Sequence, residues 1–553
     1  MPRFRSYGQL DDPITEDGDP AFMGLDQFSE PSLLSAGFLQ EAENIRIEQG
    51  LIESRGGLEK IYSTQNGKAL IRFSDPISIT EEMLLVTNDE VIGLVGILIE
   101  DDYETVSETW NESDLYFNNR NVRQTIEIPY ETGDKVIGLQ SFNKVILFSA
   151  NHRPKEWDGV IYEVNWDTGL SWGSELNWEN DQEVNLPSIF DLSETPASGV
   201  DQAFACPNAP FATHFSNRLV VPYYEDSPTT VAFSDLFDDN SFMLENTFFC
   251  NKGSSDQTLG FASFMENQIL VLNKESIFLI NNVHSLGLNS ASYEITRQYG
   301  VAGSKAFAQN GSYLYFISSE GNIQVLVPSS DPAKGMGIAI SKITLDQEAL
   351  SKPITPIINR INIREVGRSI AFYHRNRIYF ALPIDGSIQP NVICVFNSLR
   401  SQWESIDTFS EDIQILDINS LNDELYILTQ DGVYKYEVGT TDNGSPINVV
   451  ARTRDYIMQT RDIKKFIRGS LSYSTDQNTD IEINAITKTP DSDTLTKVIQ
   501  SESGKDDYTR FNVRQRGYSA SVKVVSKGGP TKLKSVSLES IIGTGRRSAN
   551  YGN

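Results

Sequence analysis

The chain has 553 residues, 39% hydrophobic, 10% aromatic and 22% charged, proportions of a folded protein that exclude disordered, collagen-like and coiled-coil chains. Its net charge of −29 is unevenly spread: residues 451–553 hold 18 Lys+Arg against 11 Asp+Glu, which leaves 28 against 64 in residues 1–450. So acidic a part repels nucleic-acid phosphates, which argues against affinity-driven DNA binding by residues 1–450. The longest apolar run, Val91 to Ile99, is about half of a bilayer span, and MPRFRSYGQLDDPITEDGDP holds no apolar h-region, so neither a membrane-spanning segment nor a signal peptide is expected. Cys206, Cys250 and Cys394 form an odd, widely spaced set without a CxxC, which points to synthesis in a reducing compartment.

In chain order, residues 1–43 read as a loop-rich acidic arm. DDPITEDGDP is expected to be flexible, and Ser29-Glu30-Pro31 to open one short helix, because Pro fits a first helical turn. Residues 44–60 read as a β-hairpin joining the next domain: Asn44 and Arg46 flank alternating Ile45 and Ile47, the chain turns at Gln49-Gly50, and a second strand ends at Arg55-Gly56-Gly57.

From 61 to 440 one module recurs: a short apolar strand, a turn centred on Asn or Asp, then a strand of aliphatics and aromatics. Its copies are FNKVILF (Phe142 to Phe148), FSNRLVV (Phe215 to Val221), FMENQILVL (Phe264 to Leu272), QNGSYLYF (Gln309 to Phe316), YHRNRIYFAL (Tyr373 to Leu382) and LNDELYIL (Leu421 to Leu428), with ITEEMLLV (Ile79 to Val86) as a seventh. The turn residues Asn143, Asn217, Asn267, Asn310, Asn376 and Asn422 are spaced by 74, 50, 43, 66 and 46 residues. Further strands open at WDGVIY (from Trp157), KESIFLI (from Lys274), EGNIQVL (from Glu320) and DGVYKY (from Asp431). Successive antiparallel strands at this interval predict a six- or seven-bladed β-propeller over 61–440. Trp157 of Trp157-Asp158-Gly159 is expected to pack between blades, and Asn217, ahead of Arg218, to accept a turn conformation. Residues 441–543, with DIEINAI, FNVRQR, SASVKVV and KLKSVSLESI, predict a β-sandwich, and 544–553 a frayed tail.

The chemistry-bearing residues do not assemble into a reaction centre. His152, His214, His284 and His374 lie in four different units, none in HExxH or beside a Gly-x-Ser-x-Gly. No Cys/His set has zinc spacing, and Asp235-Leu-Phe-Asp238-Asp239-Asn240 lacks the EF-hand glycine and terminal Glu. Gly543 to Arg547 (GTGRR) is no phosphate loop, and SSDQTLG and STDQNTD lack the Gly and Trp of sialidase turns. The expectation is a protein without catalysis, cofactor or metal. Arg461, Lys464, Lys465, Arg468, Arg510, Arg514 and Arg516 make the C-terminal unit basic; few aromatics accompany them for base stacking, so a protein contact is favoured over DNA.

Five strings in order, PSLLSAGFLQEAENIRIEQGLIESRGGL (from Pro31), SFNKVILFSANHRPKEWDG (from Ser141), THFSNRLVVPYYEDSPTTVAFSDLFDDNSF (from Thr213), QYGVAGSKAFAQNGSYLYFISSEG (from Gln298) and RNRIYFALPIDG (from Arg375), resemble the β-propeller tail proteins of bacteriophages, most nearly the nozzle, or tail tubular protein B, of short-tailed phages. The resemblance covers about residues 31–543, and its C-terminal part resembles the platform- or fin-like domain of that group. It implies a structural virion protein made in the bacterial cytoplasm: a homohexameric ring in the tail beneath portal and adaptor, next to tail fibres or spikes, with double-stranded DNA passing transiently through an acidic channel during ejection. No residue is assigned to that channel. The alternatives are a carbohydrate-active or receptor-binding propeller of a phage tail, and a cellular scaffold.

Overall fold

The computed structural model describes residues 14–74, 81–96, 123–157, 190–193, 203–251, 253–264, 266–286, 290–329, 342–345, 349–409, 413–475, 479–489, 493–497 and 506–541. The regular structure of the described chain is almost all β-strand; its helices are three short 3-10 turns and one turn of α-helix, Thr355–Ile358.

Seven antiparallel meanders are seen among the described residues. Their first strands are Ala69–Ser74, Ile137–Ser141, Thr213–Phe215, Thr258–Phe264, Phe307–Asn310, Ile370–His374 and Ile415–Leu421. Their second strands are the aliphatic halves of the recurring module, from Glu81–Val86 and Lys144–Ser149 to Glu424–Thr429. The polar turn between the two has a physical cause. Ser216 and Asn217 (φ 55° and 57°), Arg375 and Asn376 (45° and 64°), and Asn422 and Asp423 (50° and 63°) are left-handed pairs, the turn whose twist matches that of the flanking strands. Asn and Asp tolerate this backbone because their side chains bond locally.

Each meander shares buried side chains with the next. Phe73 and Leu84 of the first meet Val145 and Trp157 of the second. Ile146 and Phe148 meet Leu219 and Ala232 of the third, Val220 and Phe233 meet Ile269 and Val271 of the fourth, and the fourth, fifth and sixth share one large cluster. Ile370 and Tyr379 of the sixth meet Ile427 and Tyr434 of the seventh, while Tyr426 and Leu428 of the seventh return to Leu70 and Met83 of the first. This propeller-like order gives every meander two apolar faces, so its strands read as nearly continuous aliphatic runs.

The fourth strand of the seventh meander comes from the N-terminal part of the chain. Leu58–Ser63 lies antiparallel to Gly432–Tyr436, with Leu58 opposite Tyr436. The strands just before it enter a two-sheet sandwich built with the C-terminal part. One sheet holds Ile14–Asp19, Ile45–Glu48, Leu51–Ser54, Thr531–Ile541, Lys464–Thr475 and Asp506–Gly517. The other holds Gly24–Leu25, Phe38–Glu43, Asn448–Thr453, Ser519–Lys527, Asp480–Lys488 and Asp493–Lys497, and it continues through Gln402–Asp407 into the sixth meander. Ile45, Ile47 and Ile52 are buried among Leu471, Val522 and Leu538, each such side chain contributing about 1.5–3 kcal/mol.

Two expectations for the N-terminal part are corrected. ITEDGDP is not a flexible acidic stretch: Ile14–Asp19 is a strand paired with Asp19 opposite Val536. Its carboxylates have distant partners, since Asp17 and Asp19 hold Arg454 at 2.7 and 3.1 Å, and Asp19 also accepts from Tyr456 at 2.7 Å and from the Gly37 N–H at 2.9 Å. Ser29-Glu30-Pro31 opens a turn rather than a helix; Asp26 draws the Phe28 and Ser29 N–H groups and the Ser29 hydroxyl to itself, a local bond that competes with helix. The sandwich is accordingly not contiguous in sequence, taking five strands from residues 14–54.

Candidate functional site

Two polar assemblies stand out, one at the hairpin junction and one at an end of the meander axis. The junction gathers Asn44, Arg46, Arg55 and Gly56, while Gly50 (φ 83°) closes the hairpin turn beside Gln49 (φ 50°). Arg46 extends both terminal nitrogens to Asp407 at 3.0 and 2.7 Å and its Nε to Glu437 at 2.7 Å. Asp407 also accepts from Ser405 at 2.7 Å and from Tyr436. Burial would pull the Arg46 pKa down, but Asp407 and Glu437 hold it well above the ordinary value. Burial likewise pushes Asp407 up, and Arg46, with Arg55 and the Tyr436 hydroxyl, more than reverses it.

Arg55 forms a bidentate pair with Asp442 at 2.8 and 2.6 Å, donates to Asn44 Oδ1 at 2.9 Å and reaches the Thr408 carbonyl at 2.9 Å. Asn44, itself left-handed at φ 57°, donates to the Asn448 carbonyl at 2.7 Å. Gly56 is required by close approach: a Cβ there would lie 2.3 Å from the Glu437 carbonyl carbon. Hairpin, sixth meander, seventh meander and the entry to the sandwich are thus pinned at one point by charges that are fully paired. Such networks fix geometry more than they add stability, because desolvation offsets their Coulomb gain.

The other sequence-selected residues lie elsewhere. Trp157 is 4% exposed and meets Phe73 edge-on at 4.9 Å, between the first and second meanders. Asp158 falls outside the described residues. Asn217 is a turn residue of the third meander, and Arg218 spans that sheet to the Ser234 carbonyl at 2.6 Å. No geometry brings these to the junction.

The axial cleft, with a volume of about 580 Å³, opens where the chain enters the first strands of the meanders. Lys68, Lys135, Lys305 and Arg368 line it. Lys305 pairs with Asp417 at 2.8 Å and Arg368 with Glu365 at 2.8 Å. Lys68 donates to the Glu131 and Thr132 carbonyls at 2.7 and 2.6 Å, and Lys135 has the Gly367 carbonyl at 3.5 Å. Burial lowers the Lys135 pKa, and the neighbouring charges of Arg368 and Lys305 lower it further. Asp134 in the same wall is spoken for: against the pull of burial, Asn151, the Glu131 N–H and His152 hold its pKa down. Sequence reasoning missed this set, although a signal existed. Each cation stands one or two positions before the first strand of its meander, a repeat that becomes visible only when modules are aligned on that strand.

Among the described residues no group of three or more His, Cys, Asp or Glu could hold a metal ion. The three cysteines are free and buried, and burial pushes the Cys250 thiol up to about 12. The histidines are dispersed: His152 bonds Asp134 at 2.8 Å, His284 bonds Ser216 at 2.8 Å, His374 reaches the Asp423 carbonyl at 3.2 Å, and His214 stacks edge-on against Phe142. No helix of the described residues is long and apolar enough to cross a membrane.

No protein-family model and no curated protein matches the chain. Among solved structures, BamB from Moraxella catarrhalis aligns at 10% identity over 68% of this chain and 97% of its own, with a TM-score of 0.31. Raptor from Chaetomium thermophilum aligns at 11% identity over 69% of this chain and 28% of its own, with a TM-score of 0.37. PorZ of Porphyromonas gingivalis, a surface component of a type-IX secretion system, aligns at 10% identity over 72% and 43%, with a TM-score of 0.32. At these values the likeness assigns neither a family nor an activity.

Proposed function

We propose that the chain is a structural subunit of a short-tailed bacteriophage tail, forming with further copies of itself a nozzle ring that continues the portal channel, and that its seven meanders are the blades of one propeller. The observation that supports a mechanical role is the weaving of the two chain ends. Leu58–Ser63 completes the meander that Ile415–Tyr436 begins, and the strands before and after this unit share both sheets of the sandwich. A pull on the sandwich would reach the propeller through the single parallel bridge of Glu43 with Ile406 and through the Arg46 and Arg55 pairs. The resemblance carried by the ordered strings from Pro31 to Gly386 supplies the setting. The excess of 36 negative charges over residues 1–450 suits a wall to which DNA does not adhere.

Quantitative mass spectrometry of purified DNA-filled particles from the source phage tests this reading. A copy number about half that of the portal is expected for a sixfold ring below a twelvefold one. Absence from particles overturns it.

A further inference from the structure

The cations of the axial cleft are not matched as those of the junction are. Lys305 and Arg368 have their own carboxylates, and Asp134 is bound by Asn151 and His152. Lys68 and Lys135 have no carboxylate within ion-pair distance among the described residues, only main-chain carbonyls. Lys68 is bonded to the same loop, 131–136, that carries Lys135, so the two ammonium groups serve one wall of the cleft. Asp134 attracts Lys68 and Glu365 attracts Lys135 from beyond ion-pair distance, so each ammonium is countered only at longer range.

A second observation is independent of charge. Ser369 lines the cleft, is 1% exposed, and its hydroxyl has no hydrogen-bond partner among the described residues. A buried hydroxyl left unsatisfied costs free energy, which a water or a ligand oxygen in the cleft would recover. The volume of about 580 Å³ is that of a small-molecule site and many times that of one water.

We propose that the axial cleft binds a small oxyanion, a phosphate or a carboxylate, held by the ammonium groups of Lys135 and Lys68 with the Ser369 hydroxyl as a neutral donor. Lys305 and Arg368 stay with Asp417 and Glu365 and contribute no free valence. The anion relieves the crowding that depresses Lys135. The site involves no bond-making step and does not rest on the nozzle reading.

The test uses the full-length protein and thermal melting with sodium phosphate or sodium citrate, each against sodium chloride at matched ionic strength. Phosphate or citrate is expected to raise the melting temperature where chloride does not. Lys135→Gln should weaken the apparent affinity on the order of 10-fold, as loss of one charge-assisted bond does, and Ser369→Ala about 3-fold. Lys465→Gln, on the sandwich, should leave the response unchanged. Lys68→Gln supplies the same test should Lys135→Gln fail to fold. A response to phosphate alone assigns a phosphate ligand, and a response to citrate alone a carboxylate. No anion effect beyond chloride, or a full response in both lysine variants, overturns the proposal.

Discussion

The hairpin junction and the axial cleft both collect charged side chains from segments far apart in sequence, but they resolve the charge differently. At the junction Arg46 and Arg55 are almost wholly buried, and each meets carboxylates at hydrogen-bond distance with further donors on carbonyl, amide or phenol oxygens. At the cleft Lys68 and Lys135 keep some exposure and meet only carbonyls. The contrast follows from desolvation: a fully buried guanidinium without its carboxylate would cost several kcal/mol, whereas an ammonium near solvent is tolerated unpaired. Paired buried charge therefore marks where the fold is fastened, and unpaired charge in a concavity marks where something else can bind.

Breaking a pair at the junction should have the largest effect. Arg46→Ala leaves Asp407 buried with only Ser405 and Tyr436 as donors, and a loss of about 3–5 kcal/mol is expected in urea denaturation. Lys135→Gln, at the cleft, should change stability by less than about 0.5 kcal/mol. Similar losses from the two would erase the distinction between them.

Glycine substitutions sharpen the same contrast at smaller cost. Gly56→Ala drives a methyl group to within 2.3 Å of the Glu437 main chain, and neighbouring Gly57 is tighter still against the Thr441 oxygen at 1.9 Å. Overpacking of this kind costs about 1–3 kcal/mol. Gly133 lines the cleft, and a methyl group added there would meet nothing within 4 Å, so Gly133→Ala should be close to neutral. Urea midpoints of the two variants check this, and an equal shift in both would mean that the junction backbone yields easily.

The strands were legible because each is a short aliphatic run ended by a turn that only certain residues accept; Asn217, Asn376 and Asn422 announce their hairpins through the left-handed backbone they adopt. What strands pair across the chain was not. Nothing local to ITEDGDP says that Asp19 will meet Arg454, 435 residues away, so an ordered edge strand read as a flexible acidic arm. Asn44, Arg46 and Arg55 attracted notice as a string, yet their roles depend on Asp407, Glu437 and Asp442, which no spacing ties to them. Lys135, Lys305 and Arg368 are ordinary surface cations in sequence, and only the convergence of first strands places them in one cleft. Periodicity reports which face of a segment is apolar; partner choice between segments is a property of the packed whole.

The smallest expected effect separates the two regions by the direction of their pH response. In the folded chain Asp407 titrates below its ordinary 3.8, against the upward push of burial, because of Arg46; the pair contributes stability above that value and loses it as pH falls through the folded pKa. Lys135 has a folded pKa below its ordinary 10.5, through burial and then Arg368 and Lys305, so between the two values the unfolded chain holds the proton more tightly. Protonated Lys135 thus opposes folding at neutral pH, and the penalty fades as pH rises through the folded pKa toward 10.5. Thermal melts of the parent chain and Lys135→Gln, taken from pH 7 to 10.5 in chloride buffer, should start with the variant slightly more stable and converge. Curves that stay parallel would mean that Lys135 is not crowded by its neighbours, and saturating phosphate should shrink the initial gap if the cleft takes the anion at that lysine.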